Sequence, residues 1–339
     1  MVGCVPGPPG KPMKRRDFIT LLGGAAAAWP LAARAQQAGL PVVAFVSPRS
    51  PDDSTRYGAA FRKGLNGAGI IEGQHADIAY HWLDGHYDQL PALMADLTRR
   101  RVAVIASFGS PASAAAKDAT ASIPIVFAVA DDPTSLGLVG NLARPGGNAT
   151  GINFFSVEIA GKRLGLLHEL VPKAARIAVL VNPANASNAE STLRDTRQAA
   201  RAFGLDVEVL KAASVAEIDA AFESFARVGA DALFPAPDGF FDSRRVQFAT
   251  LAARYVIPTA HVGRDFVEAG GLMSYGTDIA DVYRQVGEYA GRILKGAKPA
   301  DLPVQQTAKF QFVINLTTAR ALGITVPPTL ISIADEVIE

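Results

Sequence analysis

Residues 123–155, IPIVFAVADDPTSLGLVGNLARPGGNATGINFF, decide how the rest of the chain is organised. The stretch opens on an apolar run, Ile125–Val129, closed in by Pro124 on one side and Asp131-Asp132-Pro133 on the other. A bounded apolar run of this length reads as a buried strand of a parallel sheet. The acidic pair then falls just past the carboxyl end of that strand, where open α/β sheets place their ligands. Arg144-Pro145-Gly146-Gly147-Asn148 follows as a turn cluster whose two glycines permit positive φ. Residues 150–155 resume extended chain, and a helical pattern begins at Val157. The stretch therefore reads as the end of one sheet, a crossover and the start of another. It is the expected hinge between two lobes.

Toward the N-terminus the chain alternates. Strand patterns at 41–46, 76–82 and 102–108 are separated by one helical pattern carrying Tyr57, Phe61 and Leu65 and another carrying Leu90, Leu93, Met94 and Leu97. Beyond 155 the alternation repeats, with strands at 176–181, 206–210, 230–234 and 257–260 and helices at 157–170, 189–203, 216–228 and 243–255. Such β-α order describes doubly wound parallel sheets, and its recurrence without sequence identity describes two similar lobes. From Gly270-Gly271 onward, 272–275 is expected to cross back toward the first lobe. A helix over 279–294, a linker at 298–303 and a strand and helix within 310–322 complete the fold.

At 339 residues the chain suits two domains that each bury a core. With 49% apolar and 19% charged residues it is an ordinary globular composition, and a net charge of +1 offers no bulk attraction for nucleic acid. Residues 1–35 read as an export signal. Twin arginines, Arg15-Arg16, stand in a basic run, a modest apolar core covers 20–29, and Ala33-Arg34-Ala35 supplies a small-x-small cleavage pattern before Gln36. The paired arginines favour the twin-arginine route, and Met13 makes a more natural start than Met1. The core is too short for a membrane anchor. Cys4 precedes that core, against a lipid anchor, and no cysteine follows it, so the rest of the chain has no disulfide or thiolate chemistry. The expected product is a soluble periplasmic monomer.

Polar and aromatic residues collect after the predicted strands: Ser47, Gly109, Ser110, Asp131, Asp132, Asn182, Asn185, Pro237, Asp238, Phe240, His261 and Tyr275. Any one of them serves equally well as a turn or helix-cap residue, and it is their joint placement around one cleft that points to a ligand. Gly109-Ser110 precedes a helix start, whose amides suit a carboxylate; the rival role for Ser110 is a simple cap. Asp238 lies in a Pro-flanked, aromatic loop where a ligand ammonium would suit it; the rival role is a surface turn. Phe240, Phe241, Trp82 and Tyr275 are candidate stacking walls. The histidines make no metal set, and no G-x-S-x-G, Walker A or G-x-G-x-x-G sequence is present, so neither a catalytic centre nor a cofactor is expected.

Several of these residues also carry a resemblance. The run IPIVFAVADDP…GLV…LARPGGNATG, with GGLMSYG at 270–276 and INLTTARALGITVPP at 314–328, resembles the ABC-transporter substrate-binding proteins of the tryptophan and tyrosine type. The likeness spans about residues 40–339. It implies a type I periplasmic binding protein fold, two Rossmann-like lobes joined by three hinge strands near Thr150, Gly271 and Pro303. The lobes would be 36–152 with 272–302, and 153–271 with 303–339. It further implies capture of an amino-acid-like ligand, aromatic ones included, contact with that ligand by an Asp at position 238, and delivery to a membrane permease. The rival functions are a ligand-sensing module of a signalling system and a periplasmic enzyme on the same scaffold; no helix-turn-helix or catalytic motif favours either.

Overall fold

A computed structural model describes Gly3 and residues 39–52, 55–154, 157–307 and 309–339; the export segment expected at 1–35 lies outside the described residues, Gly3 apart. The first series of elements is β1 Val42–Ser47, α1 Thr55–Gly67, β2 Asp77–Trp82, α2 Leu90–Arg99, β3 Val104–Phe108, α3 Ser110–Ala119, β4 Ile125–Val129 and β5 Ala149–Asn153. The second is α4 Val157–Leu170, β6 Arg176–Val181, α5 Ala186–Phe203, β7 Asp206–Lys211, α6 Val215–Val228, β8 Ala232–Pro235, α7 Gly239–Ser243, α8 Arg245–Tyr255, β9 Ala260–His261, α9 Arg264–Glu268 and β10 Met273–Thr277. The chain ends with α10 Ile279–Leu294, β11 Gln305–Gln306, β12 Phe310–Asn315, α11 Leu316–Ala321, α12 Pro328–Ile333 and β13 Glu336–Ile338.

The first lobe is built on a six-stranded sheet of order β11-β5-β4-β3-β1-β2, parallel throughout. All five residues of β4 are buried, as its unbroken apolar run requires of a strand covered on both faces. The second lobe carries β7-β6-β8 and β13-β12-β10-β9, which a parallel bridge between Leu233 and Thr259 joins edge to edge. Only β10 and β12 run antiparallel in it. Helix α10 returns to the first lobe and lies along α1, burying Val282, Val286, Tyr289 and Ile293 at helical spacing. Glycines let the two backbones meet. A β-carbon on Gly64 would fall 1.8 Å from the Arg284 carbonyl oxygen, and one on Gly287 would fall 2.1 Å from that of Phe61.

The hinge lies elsewhere than residues 144–148. β4 and β5 are neighbours in one sheet, paired from Ile125 with Ala149 to Val129 with Asn153. Parallel neighbours need a connection of a dozen or more residues, and 130–148 is that connection, with its turn inside the first lobe. Gly146 does take positive φ, at 74°, whereas Gly147 does not. The second and third crossings are also displaced from expectation. Residues 273–277 pair with β9 and β12 in the second sheet, so the chain crosses back after Thr277 and not at Gly271. Gln305 and Gln306 pair with β5, so the last crossing follows them and not Pro303. The three crossings touch at one point. The Thr277 hydroxyl donates to the Phe154 carbonyl at 3.3 Å and lies 3.4 Å from the Thr307 hydroxyl.

Candidate functional site

Strand ends of both lobes face a cavity of about 320 Å³. From the first lobe come Arg49 after β1, Tyr57 on α1, Tyr87 in the loop beyond β2, Phe108, Gly109 and Ser110 at the β3–α3 junction, and Tyr283 on α10. From the second come Asn185 and Asn188 around the start of α5, Pro237 and Asp238 after β8, Asp242 in α7, and Asp265 and Phe266 on α9. Phe108 and Tyr283 stack at 3.8 Å with their planes 8° apart, and Tyr283 lies 4.9 Å from Tyr57. These rings make one wall.

Asp238 is 4% exposed and caps α7, accepting from the amides of Phe240 at 3.1 Å and Phe241 at 3.4 Å. Its carboxylate also accepts from Asn182 Nδ2 at 3.1 Å, Asn185 Nδ2 at 2.9 Å and, across the cleft, Tyr87 OH at 3.1 Å. All five donors are neutral. Burial raises its pKa, opposed by the bonds from Asn185, Asn182 and Tyr87. Burying a carboxylate without a counter-charge is costly, so the site is suited to a ligand that brings a cation. Arg49 is buried at the same cavity with its guanidinium 4.3 Å from the Tyr57 ring centre. Burial works against its charge and is the largest single effect, but Asp242, to which it donates, together with Tyr57 and Tyr283 outweighs it and the Arg49 pKa is raised.

The lobes are shut over the cavity. Arg49 bonds Asp242, Arg56 and Tyr57 bond Asp265, and Arg244 Nη2 reaches Asp84 Oδ1 at 2.8 Å. The Ser50 amide donates to the Ser243 hydroxyl at 2.9 Å. Gly85 sits under Phe240 so closely that a β-carbon on it would fall 2.6 Å from the ring. Asp131 forms a further clasp. It accepts from Ser110 Oγ of its own lobe at 2.6 Å and from Ser191 Oγ and Ser187 Oγ on α5 at 2.6 and 3.4 Å.

Of the residues singled out from the sequence, Gly109, Ser110, Asn185, Pro237 and Asp238 line the cavity. The hydroxyl of Ser110 does not cap α3 and donates to Asp131, while Gly109 stands at the N-cap of the helix. Ser47 and Asn182 stand behind the lining, Ser47 against the Tyr283 hydroxyl at 3.1 Å and Asn182 against Asp238. Asp132 is exposed and holds Thr134 and Ser135 in a turn, whose hydrogen bonds lower its pKa although desolvation, the largest single effect, opposes them. Phe240 and Phe241 belong to the second-lobe core, Trp82 packs on Phe45, and Tyr275 packs against Phe310 and Phe312. His261 is buried and stacked on Phe266 at 3.9 Å, its pKa pushed down to about 3 by burial and then by Arg163. Tyr57, Phe108 and Tyr283 escape the sequence reading because inward aromatics on helices and strands have the pattern of core residues. Asp242 and Asp265 escape it because they stand on helices, not directly after strands. Among the described residues no group of three or more His, Cys, Asp or Glu is placed to hold a metal, and no helix is long and apolar enough to cross a membrane.

Comparison with known proteins places this geometry. The tyrosine-binding protein of Clostridioides difficile (strain R20291) is 26% identical over 264 residues, 77% of this chain and 75% of that protein. Among solved structures, an ABC domain from Streptococcus pneumonia in complex with L-Trp superposes with a TM-score of 0.80 at 25% identity, over 88% of this chain and all of that one. A conserved domain protein from Vibrio cholerae O1 biovar El Tor gives the same TM-score and coverage at 26% identity. The model of the ABC transporter substrate binding protein family matches residues 40–338. With two lobes of type I periplasmic binding architecture shut over a shared cavity, this chain belongs to the ABC transporter substrate-binding protein family, whose members are carriers of small molecules and not enzymes.

Proposed function

We propose that the mature chain is a periplasmic monomer that captures an amino-acid-like ligand, aromatic in side chain, and presents it in the closed form to a membrane permease. The cavity itself carries this reading: stacked rings on one wall, and on the opposite wall a buried carboxylate whose donors are all neutral. The ammonium goes to Asp238 and the α-carboxylate to the first turn of α3, where helix amides and the partial positive charge of the dipole converge. The ring packs against Phe108, Tyr57 and Tyr283. Burying ~150–250 Å² of aromatic surface at ~25 cal/mol per Å² supplies about 4–6 kcal/mol before ordering costs. A cavity of about 320 Å³ is at the small end of the roughly 300–1,000 Å³ range of ligand sites, which suits a single amino acid better than a peptide.

A ligand that touches both lobes binds the closed form better than the open one, and that difference is what shifts the population toward closure. The relatives named for tyrosine and solved with L-Trp support the ligand class. Mass spectrometry of the small molecule that co-purifies with the mature protein tests the reading: an aromatic amino acid is expected, and a sugar or nucleoside would overturn it. N-terminal sequencing of the exported protein should begin at Gln36, and light scattering should return the mass of one chain.

A further inference from the structure

A small chamber adjoins the main cavity. It holds about 10 Å³ and shares Ala130, Phe154, Pro237 and Val262 with the cavity wall. Its polar lining comes from Arg163 on α4 and from Thr192 and Asp195 on α5. Arg163 is 1% exposed, with Nη2 donating to the Pro235 carbonyl at 3.2 Å and the guanidinium 3.9 Å from the Phe234 ring centre. Its Nε and Nη1 are buried without a hydrogen-bond partner. Burial pushes its pKa down to about 9, against the opposing pull of Asp242. Asp195 has the complementary shortage. Its Oδ1 accepts from Arg194 Nε at 3.1 Å, while its Oδ2 is buried and unpartnered.

Buried donors and acceptors are seldom left unmatched in folded chains, and here the two residues that carry them line one chamber. Its volume admits a single water-sized group, since a water needs about 10–15 Å³ on this measure. The group must accept from a guanidinium and donate to a carboxylate. A carboxylate cannot donate and an ammonium cannot accept, whereas a hydroxyl does both. Because the chamber shares four wall residues with the ligand cavity, a ligand seated in the cavity has access to it.

We propose that Arg163 and Asp195 form a subsite that reads one hydroxyl of the captured ligand, selecting a hydroxylated amino acid over its unhydroxylated parent. The inference rests on the reading of the main cavity as a site for an aromatic amino acid. A hydroxyl scan by titration calorimetry tests it. L-phenylalanine is compared with L-tyrosine and with β-hydroxyphenylalanine, and L-tryptophan with 5-hydroxytryptophan, on the mature protein and on its Arg163→Met and Asp195→Ala variants. Circular dichroism reports which variants fold, and either variant suffices. One hydroxylated member should bind roughly ten-fold or more tighter than its parent, as a site built to hydrogen-bond a hydroxyl requires. Each folded variant should lose that advantage while holding the parent compound to within about three-fold, because the parent lacks the hydroxyl that these side chains would meet. If hydroxylated and parent ligands bind alike, or the advantage survives in the folded variants, the subsite is overturned, the chamber is left to an ordered water, and the aromatic amino-acid reading stands. If no member of any pair binds, that reading falls and the subsite with it.

Discussion

The first-lobe face of the cavity carries a set of rings, Tyr57, Tyr87, Phe108 and Tyr283. The second-lobe face carries a set of carboxylates and amides, Asn185, Asn188, Asp238, Asp242 and Asp265. The rings are braced by their own lobe. Phe108 and Tyr283 stack on each other and on the Phe45 cluster, and α10 is locked to α1 through glycine contacts that leave no slack. Several polar groups of the other face are instead engaged across the cleft: Asp238 to Tyr87, Asp242 to Arg49, Asp265 to Arg56 and Tyr57. Those bonds exist only when the lobes are closed. The first face therefore supplies a preformed apolar surface, and the second supplies both orientation and the latch.

The largest expected effect comes from the second face. Asp238→Asn keeps a group that caps α7 and receives hydrogen bonds but removes the charge proposed to meet the ligand ammonium. Loss of one member of a buried charge pair costs ~2–5 kcal/mol, so affinity for an aromatic amino acid should fall roughly 30-fold to several thousand-fold in calorimetry. A loss below about five-fold would leave Asp238 as a cap and nothing more.

Gly287→Val attacks the bracing of the first face, placing side-chain carbons where the α1 backbone already lies. Overpacking of this kind typically costs about 1–3 kcal/mol, and the melting temperature should drop by about 2–4 °C for each of them. An unchanged melting temperature would mean that α1 and α10 are free to separate. Tyr283→Leu sharpens the division of labour between the faces. Removing one aromatic partner should weaken an aromatic ligand by about 0.5–1.5 kcal/mol and leave an aliphatic amino acid unaffected, as competition titrations would read.

The smallest effect is on the pH dependence of stability. Because burial raises the Asp238 pKa, the folded chain holds a proton at pH values where the unfolded carboxyl, near ~3.9, has released it. Its contribution to stability therefore falls as pH rises from about 4 through the folded value. Asp242 is raised by burial in the same direction, so Asp238→Asn should flatten that fall without abolishing it. Ligand-free thermal denaturation at a series of pH values measures the slope; identical slopes in the two proteins would place the Asp238 proton elsewhere.

The same contrast explains what could be read in the sequence. β-α alternation and the bounded run Ile125–Val129 carry the fold because burial on both faces leaves an unbroken apolar signature. Loop residues after strands carry part of the second face, Asn185, Pro237 and Asp238 among them. The first face is illegible by the same rule, since Tyr57 and Tyr283 sit at helical spacing with residues that are plain core. Asp131 and Asp132 show the limit most sharply. Adjacent in sequence and equal in type, one is a buried clasp between lobes and the other an exposed turn residue, and only the path of the chain after them separates the two. The second and third crossings differ from the expected Gly271 and Pro303 for a related reason. A hinge strand looks like any other strand until its pairing partner is known, as β10 and β11 both illustrate.

Titration calorimetry of the mature protein, freed of co-purified solute, against each of the twenty amino acids tests capture of an aromatic amino acid most directly. The account predicts binding of at least one aromatic member with Kd at or below about 1 μM, near −8 kcal/mol, and far weaker binding of the small aliphatic ones. Heat from none of the aromatic members, or equal affinity for alanine and for the aromatic set, would contradict it.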